Sequence, residues 1–177
     1  MLLSLAYYGN PILRKKAIPI ERIDDSIRQL ATDMIETMHA TNGIGLAANQ
    51  IGQLLSIFVT CVPIAQDDGT WIDGKDRVFI NPKILAYSQE FQVFSEGCLS
   101  IPKLFSDVAR PESIKIQAMD LDGNVFEETM TGYEATNFMH ENDHLNGVLF
   151  IDRLHRTERK KIEPILQQIK KKYALKK

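Results

Sequence analysis

The chain has 177 residues, 44% of them hydrophobic and 25% charged, with a formal net charge of -2. This suits one globular domain over 1–177 built on a single core, and it excludes nucleic-acid binding by overall charge attraction. Met1–Ala6 is apolar but too short for a secretory signal or a membrane span, and Cys61 and Cys98 are too few for a disulfide framework, so a reduced, cytoplasmic protein with no membrane or DNA partner is expected.

Gly9-Asn10-Pro11 and Pro19 punctuate a turn-rich N-terminal arm. From Asp24 or Asp25, a good N-cap, the spacing of Ile27, Leu30, Ala31, Met34, Ile35 and Met38 predicts a helix to about Ala40. His39 at its end reads as a C-terminal cation or surface residue rather than a ligand. Gly43-Ile44-Gly45-Leu46-Ala47-Ala48-Asn49-Gln50 is either a close approach of backbone to a ligand or a tight turn of small residues. It lacks the third glycine and the Lys-Ser/Thr ending of a phosphate loop.

Leu54–Thr60 reads as a strand with Cys61 as a small buried residue at its end, and residues 65–76 as an exposed hairpin or loop. Val78–Ile80 begins a strand that Asn81-Pro82 interrupts, Ile84–Tyr87 follows, and Phe91–Phe94 leads into Glu96-Gly97-Cys98-Leu99-Ser100. Ser113–Met119 alternates with Ile114, Ile116 and Ala118 inward, and Asp122-Gly123 turns into Val125–Met130. A helix, several antiparallel strands and then a further helix make an α+β order, with antiparallel sheets packed around a central helix.

That central helix carries His140-Glu141-Asn142-Asp143-His144. Residues four apart share a helix face, roughly 6 Å apart at Cβ, so both imidazoles can reach one metal ion while Glu141 stands beside them. Thr131 and Glu134 read as a capping box, and Asn146-Gly147 as the stop. The pattern also occurs on charged helices that bind nothing, so its partners decide. A catalytic ion wants a third protein ligand. The position where a third histidine would fall is Phe150, and Glu163 sits in a basic tail beside Pro164. Cys98, following a strand and Gly97, is the better candidate.

The C-terminal stretch 153–177 is basic, from Arg153 to Lys176 and Lys177, with Ile162, Ile165, Leu166, Ile169 and Tyr173 at helical spacing. Pro164 either kinks this amphipathic helix or begins its second piece.

Tyr8-Gly-Asn-Pro-Ile-Leu-Arg14, Gly43–Gln50, Glu96–Ser100 and His140–His144 together resemble the signature motifs of the peptide deformylases, in order and approximate spacing, over nearly the whole chain. The resemblance implies a metal-dependent hydrolase that removes the formyl group from N-terminal formylmethionine of nascent proteins and releases formate. Cys98, His140 and His144 would hold one divalent ion, most often Fe²⁺, with Zn²⁺, Ni²⁺ or Co²⁺ able to occupy the same site. Glu141 would be the general base, Gln50 and the Leu99 backbone N–H the oxyanion donors, and Glu96 and Arg110 a supporting ion pair. Ile44, Gly45, Gly97, Phe94 and Asn137 would meet the peptide. The basic tail resembles the helix by which some bacterial members dock on the ribosome.

The chain departs from the family pattern at Lys103, Asn137, Met139 and Asn142, and Thr136 and Asn137 fall near the wall of the methionine pocket. A second reading is therefore the same machinery acting on another N-acyl or formyl-peptide substrate. An inactive, metal-stabilised ribosome-associated binding protein is a third, against which Glu141 speaks, because a structural site has no use for a base.

Overall fold

A computed structural model describes residues 1–174, so Lys176 and Lys177 of the expected tail helix lie outside the described residues. Asp24 caps α1 (Asp25–Ala40), its carboxylate accepting from the backbone N–H groups of Ser26 and Ile27. Strands β1 (Gly45–Ala47), β2 (Ile57–Thr60), β5 (Arg77–Tyr87), β8 (Ser113–Met119) and β9 (Val125–Thr131) form a five-stranded antiparallel sheet in the order β1-β2-β5-β8-β9. Between β2 and β5, strands β3 (Ile64–Ala65) and β4 (Trp71–Ile72) make the small exposed hairpin expected there. A separate ribbon pairs β6 (Phe91–Cys98) with β7 (Ile101–Pro111).

The sheet lies between two helices. Ile57 and Val59 of β2 pack with Ala31, Met34 and Met38 of α1, while Phe58 faces the other way onto Phe138 of α2 (Gly132–Leu145). All four residues of β2 are consequently buried, as a strand covered on both faces must be. Phe58, Phe79 and Phe138 meet with ring centroids 5.0–5.1 Å apart. A third cluster joins Leu104 and Val108 of β7 to Leu166 and Ile169 of α3 (Arg156–Lys172).

Three sequence expectations change. Asn81-Pro82 does not break the strand: Asn81 takes a left-handed φ of 50°, its side chain bonds both backbone groups of Ile20, and β5 continues through a register shift. Strand β7 was not expected, because Arg110 stands on its inward face with Leu104 and Val108 and hides the apolar alternation. Helix α3 runs through Pro164 without a second start, and Ile165 points largely to solvent rather than completing the apolar stripe.

Candidate active site

Helix α2 is buried on two sides. Ala135, Phe138, Met139 and Leu145 face the sheet core, whereas Thr136, His140 and His144 face the β6–β7 ribbon and Glu141 reaches Gly45 of β1; all of these and Asn137 are buried. Thr131 is its N-cap, but the hydroxyl makes no capping bond, and Glu134 pairs with Arg77 instead of closing the box. The stop holds: Asn146 is the C-cap, and Gly147 has a φ of 73° where a Cβ would lie 2.5 Å from the Arg14 carbonyl oxygen.

The ribbon delivers Cys98 against this helix. Ligand atoms of Cys98, His140 and His144 lie within 4.8 Å of one another, with Cys98 Sγ 3.3 Å from His144 Nε2. Three donors bonding one ion at about 2.0–2.3 Å require close mutual approach of this kind, and a thiolate with two imidazoles suits a first-row transition ion rather than Mg²⁺ or Ca²⁺. His140 Nδ1 is 2.8 Å from Glu96 Oε1. Since a carboxylate only accepts, Nδ1 carries the proton and Nε2 keeps its lone pair for a metal. Burial drives His144 well below its ordinary range, which favours the neutral, ligating form. Burial also pulls on His140, but Cys98, Glu96 and Glu141 outweigh it and hold it well above, so without a cation Nε2 is protonated as well, and an arriving ion frees its lone pair by displacing that proton. Phe150, the residue where a third histidine would fall, stacks on the His140 ring at 5.9 Å and keeps that side apolar.

Behind His140 runs a chain of charges. Arg110 donates to both Glu96 oxygens at 2.6 and 3.0 Å and to Asp143 at 2.9 Å, and Asp143 also accepts from Arg153 at 2.7 Å. Burial alone would raise Glu96, but bonds from His140 and Arg110 bring it below the ordinary carboxylate range. The Glu96–Arg110 pair was expected; Asp143 and Arg153 were not, although Asp143, three residues after His140, is within one helical turn of it.

Glu141 is 3% exposed, and burial pushes its carboxyl up to about 7, a value suited to exchanging protons near neutrality. Its Oε1 occupies the space above Gly45, where a Cβ would lie only 2.3 Å away. Of the two readings of this stretch, a close approach is what occurs at Gly45, and it is to the chain's own carboxylate. Gln50, in a 3-10 turn over Ala48–Ile51, accepts from the Ala47 N–H at 2.9 Å and aims Nε2 at Ser100 Oγ, 3.2 Å, and Cys98 Sγ, 3.5 Å.

These residues open on a cavity of about 490 Å³. Ile44, Gly45, Gln50, Gly97, Cys98, Leu99, Asn137, His140 and Glu141 line it, as do Tyr133 and Thr136. Phe94 is not among the lining residues; its ring lies 5.2 Å from that of Tyr133, which is. Tyr133, in the first turn of α2, had no sequence signal beyond its place near the motif. Gln92 donates to Thr136 Oγ1 at 3.1 Å, while Asn137 Oδ1 is buried with no hydrogen-bond partner.

The family model for polypeptide deformylase matches residues 2–160. A peptide deformylase of Pseudothermotoga lettingae is 43% identical over 98% of both chains, and one of Bradyrhizobium diazoefficiens is 46% identical over 85% of this chain and 86% of its own. Among solved structures, peptide deformylase from Ehrlichia chaffeensis in complex with actinonin is 38% identical, covers 98% of each chain and superposes with a TM-score of 0.86.

Proposed function

Because the chain belongs to the polypeptide deformylase family, we propose that it hydrolyses the formamide of N-formylmethionyl peptides, using the cleft between β1, the β6–β7 ribbon and α2. Cys98, His140 and His144 would hold one divalent ion, and Fe²⁺ is the ion we assign natively, with Zn²⁺, Ni²⁺ or Co²⁺ able to take its place. When bound, such an ion supplies Lewis acidity to the formyl oxygen and acidifies water. The observation that carries this reading is the convergence of those three ligand atoms within 4.8 Å, with Cys98, His140 and Glu141 lining one cavity.

Ile44 and Gly45 lie at and beside β1, an edge strand of its sheet, and with Gly97 across the cleft they can pair with an extended peptide through backbone groups. The Gln50 amide and the Leu99 N–H donate to the formyl oxygen as it gains negative charge; removing one donor of this kind costs roughly 3 to 4 kcal/mol. Glu141 takes a proton from the attacking water and delivers it to the departing amine nitrogen, so formate and a free N-terminus result. The Glu96–Arg110–Asp143 network fixes the His140 ring.

We assign the protein to the cytoplasm as a single catalytic domain; none of its described helices is long and apolar enough to cross a membrane. The basic flank of α3 is suited to an anionic ribosomal surface. The test of the function is formate release from formyl-Met-Ala-Ser by anaerobically prepared, Fe²⁺- or Ni²⁺-loaded protein. Turnover supports the reading, and its absence from folded, metal-loaded protein contradicts it.

One observation favours a second reading, a shifted side-chain preference. The unpartnered amide of Asn137, beside Thr136, makes part of the cavity wall polar. If that wall selects the substrate, formyl-Gln-Ala-Ser is turned over with a higher kcat/KM than formyl-Met-Ala-Ser, and Asn137→Ala reverses the order. A preference for methionine that is indifferent to Asn137→Ala rules it out.

A further inference from the structure

A second convergence of ligand side chains lies outside the cleft. His39 lies in the last turn of α1, Cys61 follows the last residue of β2, and Asp76 precedes the first residue of β5. The antiparallel register pairs Thr60 with Arg77, which brings Cys61 and Asp76 opposite each other at the open end of the two strands, beneath the last turn of α1. One ligand atom from each of the three lies within 4.8 Å of the others, and His39 Nε2 is 2.7 Å from Asp76 Oδ1.

We propose that His39, Cys61 and Asp76 form a second transition-metal site, taking Zn²⁺ or an ion of similar softness, with its remaining position open to solvent. Thiolate, imidazole and carboxylate are all ordinary Zn²⁺ ligands, and three of them with one open position is a recognised arrangement. A hard ion such as Mg²⁺ would prefer oxygen alone. Cys61 is half-buried, and burial together with the Asp76 and Asp73 carboxylates pushes its thiol up, so the thiol keeps its proton until an arriving cation takes the sulfur and releases that proton to solvent. His39 and Asp76 have side chains 49% and 42% exposed, which makes the site accessible and its ion exchangeable.

The site has a route to the cleft. The Cys61 N–H bonds the Ile44 carbonyl at 2.9 Å, and the His39 carbonyl accepts from Asn42 at 3.0 Å. An ion joining these elements ties down the segment 41–45, which lines the cavity. This coupling rests on the cleft being the active site; the metal site itself does not.

The experiment is native mass spectrometry of protein preloaded with one Ni²⁺ and then titrated with Zn²⁺, alongside Cys61→Ser, His39→Ala and Cys98→Ser. The wild type is expected to carry two ions, Cys61→Ser and His39→Ala one each with Ni²⁺ retained, and Cys98→Ser one as Zn²⁺ only. A wild type that takes a single ion at excess Zn²⁺, or a Cys61→Ser variant that still takes two, overturns the proposal. Two ions in a protein that releases no formate would leave this site standing and remove the deformylase reading instead.

Discussion

Gly45 and Glu141 show how closely the cleft is fitted at the scale of single residues. A methyl group at Gly45 would lie 2.3 Å from Glu141 Oε1, so Gly45→Ala must displace the carboxylate from its place. We expect kcat to fall by about 10²-fold or more, within the range attributed to a positioned base, while metal content is unchanged. A variant with wild-type kcat would show that Glu141 has no fixed position. Glu96→Gln replaces an acceptor fixed on His140 with a neutral amide and weakens the pairing of Arg110. Metal affinity should drop by about 10–100-fold, measured by competition with a chelating dye. The two histidines and the glutamate were legible in the sequence because a helical spacing of four brings them together locally. Asp143 and Arg153 were not, because ion pairs between distant segments leave no periodic trace. Nor does the sequence join Cys61 to Asp76, which only the pairing of β2 with β5 brings together.

At the scale of elements, α3 is both tail and core. Leu166 is fully buried and Ile169 8% exposed, packed against β7 and the N-terminal segment, while the lysines occupy the outer side. Leu166→Ala should therefore cost about 2–5 kcal/mol in chemical denaturation, the range for emptying a filled core site. Removing the whole helix would confuse ribosome docking with unfolding. Lys171→Glu combined with Lys172→Glu tests docking alone: co-sedimentation with ribosomes should weaken while the melting temperature stays, and unchanged sedimentation would exclude this flank. The helices were readable because their stripes are regular and Asp24 caps α1 as expected. The β6–β7 ribbon was half readable, since Phe91–Phe94 is overtly apolar whereas β7 mixes Lys103, Ser106 and Arg110 into its alternation. Pro164 starts no second piece and is accommodated inside the helix: Lys160, whose carbonyl it leaves without a helical partner, is exposed, so water can take the missing bond.

Across the whole molecule, the N-terminal arm is fastened to the segment before α3 by Arg14 and Asp152, 3.1 Å apart at one of their contacts. Burial raises Asp152, but the hydrogen bond and charge of Arg14 and the Leu149 N–H outweigh it and leave the carboxyl below its ordinary range. A carboxyl whose folded value is depressed adds stability that is complete above its unfolded value and is lost as pH falls through the folded one. Wild type should therefore melt above Asp152→Asn at neutral pH, with the gap closing in acid below the ordinary carboxylate range. A gap independent of pH would assign the effect to packing.

The proposed chemistry requires Cys98, His140 and His144 to hold one ion while Glu141 moves the proton beside it. Single-turnover formate release from formyl-Met-Ala-Ser by wild type and Glu141→Gln, each with metal counted on the same sample, tests this division of roles. Equal metal at the Cys98 centre with a rate lowered by about 10²–10⁴-fold in the variant is the predicted result. An equally loaded variant that deformylates at the wild-type rate would contradict it.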